Sequence, residues 1–151
     1  AIAHQLIDQY EVTVLYRQLS TLLEMRHSAY DFGSQDNAGQ KFRAAHQELL
    51  DVDMLILDEV CVNETVLKKN SQSWLGNLLR QRLVNKKNCI LITNHNLGDL
   101  EQALGRYCFE SIKEYDTYKV RFSGPSRRKG LTLDEEDQVT SAPRYQPNQV
   151  R

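Results

Sequence analysis

The feature that most constrains this chain is the stretch 53–59, Asp-Met-Leu-Ile-Leu-Asp-Glu, in which four apolar residues run directly into two acids. An apolar run without polar alternation is typical of a strand that is buried on both faces of a parallel sheet. Asp58 and Glu59 then lie at the carboxyl end of that strand, where open α/β sheets place their ligand crevice. A buried strand that ends in an ordinary polar turn gives the same pattern, so both interpretations stay open at this point.

The two acids have the chemistry of a nucleotide-hydrolysing site. Asp58 can hold Mg²⁺ directly or through water, because this ion prefers hard oxygen ligands and keeps several waters. Glu59 can orient or deprotonate an attacking water. Four apolar residues followed by Asp-Glu form the Walker B pattern of nucleotide hydrolases.

Composition limits the function classes. The 151 residues are 40% hydrophobic and 26% charged, which is the balance of one soluble globular domain. With a formal net charge of -1, any affinity for nucleic acid must come from a local basic patch. The three cysteines lack metal-binding spacing and predict reduced thiols in a cytoplasmic protein. No apolar segment approaches the length of a membrane span, and no signal peptide is recognisable, so we expect no membrane association.

Helical and strand-like patterns alternate along the chain and predict a three-layer α/β domain over residues 1–130 with a mostly parallel sheet. The expected strands are residues 12–16, the stretch 53–59, residues 89–93 and residues 118–122. The expected helices include residues 1–7, 19–25, 40–50, a long helix that contains residues 68–83, and residues 97–112. In the fourth helix the leucines occupy one face, while Lys68, Lys69, Arg80 and Arg82 lie mainly on the solvated side. Residues 131–151 are polar and predict a disordered tail.

Two asparagines follow the strand at residues 89–93 and are expected in the same crevice as the two acids. An amide at Asn94 or Asn96 can donate to a phosphate oxygen or to the attacking water without adding negative charge. Either residue could instead simply stabilise a turn. His95, between them, has no acidic or nucleophilic partner nearby in the sequence and is interpreted as a surface histidine.

A basic segment near the end of the predicted domain, residues 124–130, reads Gly-Pro-Ser-Arg-Arg-Lys-Gly. Three consecutive cations flanked by glycines could reach a phosphate, and the fixed fork of an arginine suits a γ-phosphate. A solvated basic turn is the other interpretation.

Residues 53–60, residues 92–97 with Leu104-Gly105, and residues 124–128 together resemble the AAA+ module of the DnaC/DnaI bacterial helicase loaders. The related IstB-type transposition ATPases and phage replication proteins share these landmarks. The resemblance implies a P-loop NTPase fold that binds ATP and Mg²⁺, with Asp58 as the metal-binding Walker B acid and Glu59 as the Walker B carboxylate that activates water. It implies further that Asn94 is the sensor 1 residue, with Asn96 as the alternative registration. By the same resemblance Arg128 is the sensor 2 arginine and Arg127 its fallback.

The chain departs from this family in two places. It has no Gly-rich loop ending in Gly-Lys-Ser/Thr, the Walker A element that cradles the phosphates. Residues 1–7 resemble the helix that follows this loop, so we expect the chain to be the downstream part of a longer protein, lacking the N-terminal strand. Loaders also place arginines where this chain has Tyr107 and Ser111, which leaves the adjacent Arg106 as the candidate arginine finger toward a neighbouring subunit.

The resemblance also gives a role to residues 25–43, because the corresponding helices of loaders contact single-stranded DNA. This region offers cations interleaved with aromatic side chains, a combination that follows a phosphate backbone while stacking on bases. The candidates are Arg26, Tyr30, Phe32, Lys41 and Arg43. Tyr30 and Phe32 could alternatively pin a loop to the core.

Together these features predict an ATP-dependent DNA replication protein of the helicase-loader type. ATP hydrolysis would be coupled to a replicative helicase and to single-stranded DNA, with self-association through AAA+ contacts. The alternatives are an IstB-like ATPase that assists a transposase and a non-hydrolysing DNA- or protein-binding module that has lost its phosphate loop. A phosphoacceptor domain built on Asp58 is a weaker alternative, since no acidic pair lies near the first strand.

Overall fold

The computed structural model of the chain describes residues 2–30, 37–61 and 66–122. In this part of the chain the helices are α1 (Ile2–Tyr10), α2 (Leu19–Tyr30), α3 (Ala38–Asp51), α4 (Lys69–Val84), α5 (Leu97–Leu104) and α6 (Arg106–Lys113). The strands are β1 (Val14–Gln18), β2 (Met54–Asp58) and β3 (Asn88–Leu91). Residues up to Tyr118 form one compact unit, and residues 119–122 belong to a second.

The sheet is small and parallel, with β2 between β1 and β3. The register places Leu15 opposite Leu55 on one side of β2, and Leu57 opposite Leu91 on the other. Leu55, Ile56 and Leu57 are 0%, 6% and 0% exposed. Because successive strand residues point to opposite faces, this run is covered on both faces. The α/β class, the parallel sheet and the buried strand are thereby confirmed.

One face of the sheet lies against the main hydrophobic core. Its side chains come from alternate positions on all three strands: Leu15, Leu55, Leu57, Cys89 and Leu91. The helices α2, α4, α5 and α6 supply most of the other core residues, which include Leu19, Leu22, Leu75, Leu78, Leu79, Leu104 and Cys108. The opposite face carries Tyr16, Ile56 and Asp58. The polar end of β2 therefore opens on the side away from the main core.

Arg82 corrects the prediction that the arginines of α4 lie on its solvated side. Its side chain is 0% exposed and contacts segments that are far apart in the sequence. Nη1 donates to the carbonyl oxygens of Leu49 at 2.5 Å and Val52 at 3.0 Å. Further donations go to the carbonyl oxygen of Asn88 at 2.7 Å, to that of Asp53 at 3.3 Å and to Cys89 Sγ at 3.2 Å. Burial of this cation is tolerated because the end of α3 and the starts of β2 and β3 supply acceptors on all sides.

A second polar cluster ties the amino ends of the three strands together. Asp53 Oδ2 accepts from the backbone nitrogen and the hydroxyl of Thr13, at 2.9 and 2.8 Å, and Lys87 Nζ lies 2.5 Å from Oδ1. The ion pair with Lys87, followed by the hydrogen bonds from Thr13, holds the pKa of Asp53 well below its usual value. This cluster holds the three strands together at their amino ends, opposite the ends that carry the two candidate acids.

Residues 97–112 do not form the single helix that the sequence predicts. Helix α5 ends at Leu104 and α6 begins at Arg106, with Gly105 between them at φ 74° and ψ 152°. This left-handed φ is one that glycine adopts without strain. A Cβ at position 105 would also lie 2.2 Å from Gln72 Oε1. The break follows from the close approach of α4, which periodicity alone could not show.

The predicted strand at residues 118–122 is also wrong, since these residues have no regular secondary structure. Tyr118, Val120 and Phe122 alternate as a strand would, but all three are strongly exposed. The alternation of apolar and polar residues fits the two faces of a strand, but a strand in a sheet also needs a hydrogen-bonded neighbouring strand. The first strand spans Val14–Gln18 rather than residues 12–16. None of the helices described here combines the length and apolar character that a membrane crossing requires.

Candidate functional site

Asp58 is the last residue of β2, and both of its carboxylate oxygens are engaged. Oδ1 accepts from the backbone nitrogen of Glu59 at 2.8 Å. Oδ2 accepts from the hydroxyl of Tyr16 on β1. This hydrogen bond is the main reason that the pKa of Tyr16 is raised, so the tyrosine remains a neutral donor at physiological pH. Each carboxylate oxygen accepts a second bond, which leaves the half-buried Asp58 oriented and still able to bind a ligand.

Glu59 is exposed at a sharp turn just past the strand. Its φ of 53° lies in the left-handed region, which a side chain other than glycine seldom adopts. The next residue, Val60, is buried, and its nitrogen donates to the carbonyl oxygen of Ile92 at 2.9 Å. With Asp58 and Val60 anchored on either side, the turn presents the Glu59 carboxylate to solvent at the sheet edge.

The loop that follows β3 is fastened to this turn by two side chains, Thr93 and His95, which we call the clasp. Thr93 Oγ1 donates to the carbonyl oxygen of Val60 at 2.8 Å and accepts from the nitrogen of His95 at 3.1 Å. His95 Nε2 lies 2.8 Å from the carbonyl oxygen of Cys61 and must carry the proton, because a carbonyl only accepts. The prediction that His95 is a surface histidine is therefore wrong: it is half-buried and joins two loops.

The two candidate asparagines have different surroundings. Asn96 is the N-cap of α5: its Oδ1 accepts from the nitrogen of Asp99 at 3.0 Å, and its Nδ2 donates to Asp99 Oδ2 at 2.6 Å. Such a cap satisfies backbone donors that a helix start leaves open. Asn94 is exposed between the two residues of the clasp. Its position beside the turn favours Asn94 over Asn96 as the amide that faces a ligand, and its role stays a prediction.

Asp58 could serve as one ligand of a divalent cation, because each of its oxygens keeps an acceptor position. Within residues 2–30, 37–61 and 66–122, no group of three or more His, Cys, Asp or Glu could hold a metal. Mg²⁺ usually takes one or two carboxylates together with waters and substrate phosphates. Asp58, with the exposed Glu59 next to it, supplies the carboxylates of that pattern.

The remaining predicted nucleotide contacts are only partly described. Arg127 and Arg128 lie outside the described residues, so their roles stay predictions. Arg106 is exposed at the start of α6, a position from which it could reach a neighbouring molecule.

The two positions at which loaders carry arginines are used for helix packing in this chain. Ser111 is fully buried, and its hydroxyl donates to the carbonyl oxygen of Tyr107 at 3.1 Å. The Tyr107 ring lies so close to α4 that a Cβ on Gly76 would be 2.8 Å from its Cε1 atom. Arginines at these positions would have to disrupt the contact between α4 and α6.

Four of the five candidate DNA-contacting residues lie on α2 and α3, which pack against each other. The Arg26 guanidinium carbon lies 5.2 Å from the centroid of the Tyr30 ring, and Tyr30 is 66% exposed. The alternative in which Tyr30 pins a loop to the core does not agree with that exposure. Lys41 and Arg43 are exposed at the start of α3. Phe32 lies outside the described residues.

Sequence reasoning missed Tyr16, Thr93 and His95 as contributors to this site. Thr93 and His95 do flank Asn94, but their partners are backbone carbonyls more than thirty residues away, which no local pattern identifies. Tyr16 reaches Asp58 only because β1 pairs with β2 in one particular register. A one-residue slip would turn the tyrosine to the other face of the sheet.

No protein-family model matches this chain, and no curated protein matches it in sequence. Among solved structures, the chain is similar to domain III of the replication initiation protein DnaA from Thermotoga maritima, with a TM-score of 0.57 and 15% sequence identity. The similarity covers 73% of this chain and 42% of the DnaA chain, so the match spans less than half the length of that domain. At this identity the likeness concerns the fold alone. It shows a fold like that of the DnaA domain and does not extend to the helicase loaders or the transposition ATPases.

Proposed function

We propose that this chain is part of an AAA+ nucleoside-triphosphatase that acts in DNA replication in the cytoplasm, as helicase loaders do. The observation that carries the proposal is the carboxyl edge of the sheet. There Asp58 is oriented on both oxygens, Glu59 faces solvent, and the exposed Asn94 lies between Thr93 and His95, which fasten the next loop to this turn. The fold similarity to a domain of a replication initiation protein supports the same general class.

In the proposed reaction, each candidate residue has a distinct role. Asp58 would bind the Mg²⁺ of ATP·Mg²⁺, and the bound ion would neutralise charge on the phosphates. Glu59 would accept a proton from the attacking water, because its carboxylate is exposed one residue beyond the metal-binding acid. Asn94 would donate to that water or to a γ-phosphate oxygen. Arg128, or Arg127 in its place, would contact the γ-phosphate.

The proposed output is a change in grip on a replicative helicase and on single-stranded DNA. The stacked pair of Arg26 and the exposed Tyr30, with the exposed cations Lys41 and Arg43, supports DNA contact by α2 and α3. Self-association would bring Arg106 toward the nucleotide of a neighbouring subunit. An IstB-like ATPase would use the same catalytic site with a transposase as its partner.

A second candidate function is a DNA- or protein-binding module that does not hydrolyse nucleotide. The observation that favours it is the lack of any Gly-Lys-Ser/Thr loop in these 151 residues. Without such a loop, the chain has neither the backbone N–H cradle nor the lysine that hold the phosphates.

The test uses a polypeptide in which this chain is joined to the strand and phosphate loop of an AAA+ protein. Glu59→Gln should abolish phosphate release while nucleotide stays bound, because an amide keeps the shape but cannot accept a proton. Asp58→Asn should also weaken magnesium-dependent nucleotide binding. Glu48→Gln, at an exposed acid paired with Arg17, is the matched control and should leave turnover unchanged.

Hydrolysis by Glu59→Gln at the parent rate would show that Glu59 is not the general base. A parent protein that binds DNA but never hydrolyses ATP would instead favour the binding module.

A further inference from the structure

We propose that Tyr16 is a positioning residue for the metal site, whose hydroxyl holds the Asp58 carboxylate in the orientation that binds a divalent cation. The inference rests on the proposed function, in which Asp58 binds the metal. It adds a residue from β1, a strand that neither the Walker B pattern nor the sensor residues include.

The strand register brings the two side chains together. Tyr16 is opposite Ile56, and Gln18 is opposite Asp58, so Tyr16 and Asp58 are diagonal neighbours on the same face of the sheet. Long side chains reach each other across such a diagonal. The tyrosine hydroxyl donates to Oδ2, while Oδ1 accepts from the backbone nitrogen of Glu59 at 2.8 Å. With one donor on each oxygen, the carboxylate cannot rotate without losing a hydrogen bond.

The packing of Tyr16 argues against a purely structural role. Its side chain is 48% exposed and does not belong to the main hydrophobic core. The ring therefore lies outside the main core, and the defined contact of the hydroxyl is the one with Asp58.

The chemistry of the donor also suits a metal site. A phenol is neutral, so it can fix a carboxylate without placing a positive charge where a cation must bind. Each oxygen of Asp58 keeps a further acceptor position for the metal or for its waters. Hydrogen-bonded partners that orient metal-binding carboxylates typically change metal affinity or activity by about 10–100-fold when they are removed.

The experiment measures binding of Mn²⁺, a spectroscopic substitute for Mg²⁺, to the whole 151-residue chain by electron paramagnetic resonance. Tyr16→Phe keeps the ring and removes the hydroxyl, and we expect it to weaken Mn²⁺ binding about tenfold. The matched control is Tyr107→Phe. Tyr107 is 43% exposed, and its hydroxyl donates to Asn77 Oδ1 at 2.6 Å on a different part of the molecule. It should leave Mn²⁺ affinity unchanged.

Thermal unfolding followed by circular dichroism separates positioning from stability. A tenfold loss of Mn²⁺ affinity in Tyr16→Phe with an unchanged melting temperature supports the proposal. Unchanged or tighter Mn²⁺ binding would overturn it, since a hydroxyl that competes with the metal gives the tighter result. An equal loss in the Tyr107→Phe control would overturn it as well.

Asp58→Asn distinguishes the failure of this inference from the failure of the proposed function. If Mn²⁺ binding persists in Asp58→Asn, or is absent from the parent chain, the proposed metal site itself is refuted, and the role of Tyr16 with it. If Asp58→Asn abolishes binding while Tyr16→Phe binds as the parent does, only the role of Tyr16 is refuted.

Discussion

Replacing Arg82 by Ala should strongly destabilise the protein, although Arg82 is not one of the candidate catalytic residues. Its guanidinium is fully buried and donates to four backbone carbonyl oxygens, at distances of 2.5, 3.0, 2.7 and 3.3 Å. These carbonyls belong to the end of α3 and to the starts of β2 and β3. Alanine would leave them without this donor.

The size of the effect follows from the two shortest bonds, those to Leu49 and Asn88. A buried acceptor that loses its partner costs about 1–3 kcal/mol, so two of them amount to about 2–6 kcal/mol. We therefore expect Arg82→Ala to lower the free energy of unfolding by about 4 kcal/mol, before any cavity is counted. Because a typical domain is stable by only about 5–15 kcal/mol, this loss is a large part of the total.

Urea unfolding followed by circular dichroism gives the free energy directly. Arg82→Met separates hydrogen bonding from packing, because methionine fills much of the same space without a donor. We expect it to lose at least about 2 kcal/mol. Arg80→Ala is the control on the same helix: Arg80 forms a surface ion pair with Glu114, and this variant should lose much less stability than Arg82→Ala. Buried ionic groups can sometimes be replaced by apolar ones at no cost. If Arg82→Met is as stable as the parent, Arg82 is such a case, and the argument from lost hydrogen bonds is refuted.

The 151-residue chain alone should bind ATP weakly or not at all, because it lacks the phosphate cradle; calorimetric titration with a non-hydrolysable analogue tests this, and tight magnesium-dependent binding would contradict it. Tyr30→Ala should weaken single-stranded DNA binding by about 1–3 kcal/mol in a salt-dependent anisotropy assay. Tyr30→Ala should leave the melting temperature unchanged, and Tyr10→Ala, at an equally exposed tyrosine, is the control. A lowered melting temperature of Tyr30→Ala with normal DNA affinity would show that Tyr30 stabilises the fold and does not contact DNA. The pKa of Asp53 in the folded chain lies below its unfolded value near 3.8, so the unfolded chain binds more protons in acid. The stability that Asp53 contributes at neutral pH should therefore be lost as the pH falls below that value. Asp53→Asn should flatten this acid dependence in unfolding experiments, and an unchanged pH profile would exclude Asp53 as its source.

The parts of the fold that the sequence predicts well are those with a local physical cause. The apolar run from Met54 to Leu57 predicts a doubly buried strand because each of its side chains needs cover. The position of Asp58 and Glu59 at the carboxyl end follows from the same run. The helical leucines predict α2 and α4 in the same way, through the spacing of one apolar face.

The parts that the sequence could not predict depend on partners that are distant along the chain. Arg82 looks like a surface cation on the periodicity of α4, and only the carbonyls of α3, β2 and β3 make its burial favourable. Gly105 looks like one glycine within a helix until the side chain of Gln72 occupies the space beside it. His95 looks isolated until the turn after β2 supplies a carbonyl oxygen. In each case the deciding contact is set by tertiary packing.

The clasp of Thr93 and His95 has a mechanical consequence for the candidate site. These residues fasten the loop that carries Asn94 to the carbonyl oxygens of Val60 and Cys61, just past Glu59. The turn after β2 and the loop after β3 are therefore held together, and a displacement of one would move the other. The loop after β3 ends at Asn96, the N-cap of α5, so this linkage extends to the N-terminus of that helix. A displacement of the turn after β2 would therefore also move the N-terminus of α5.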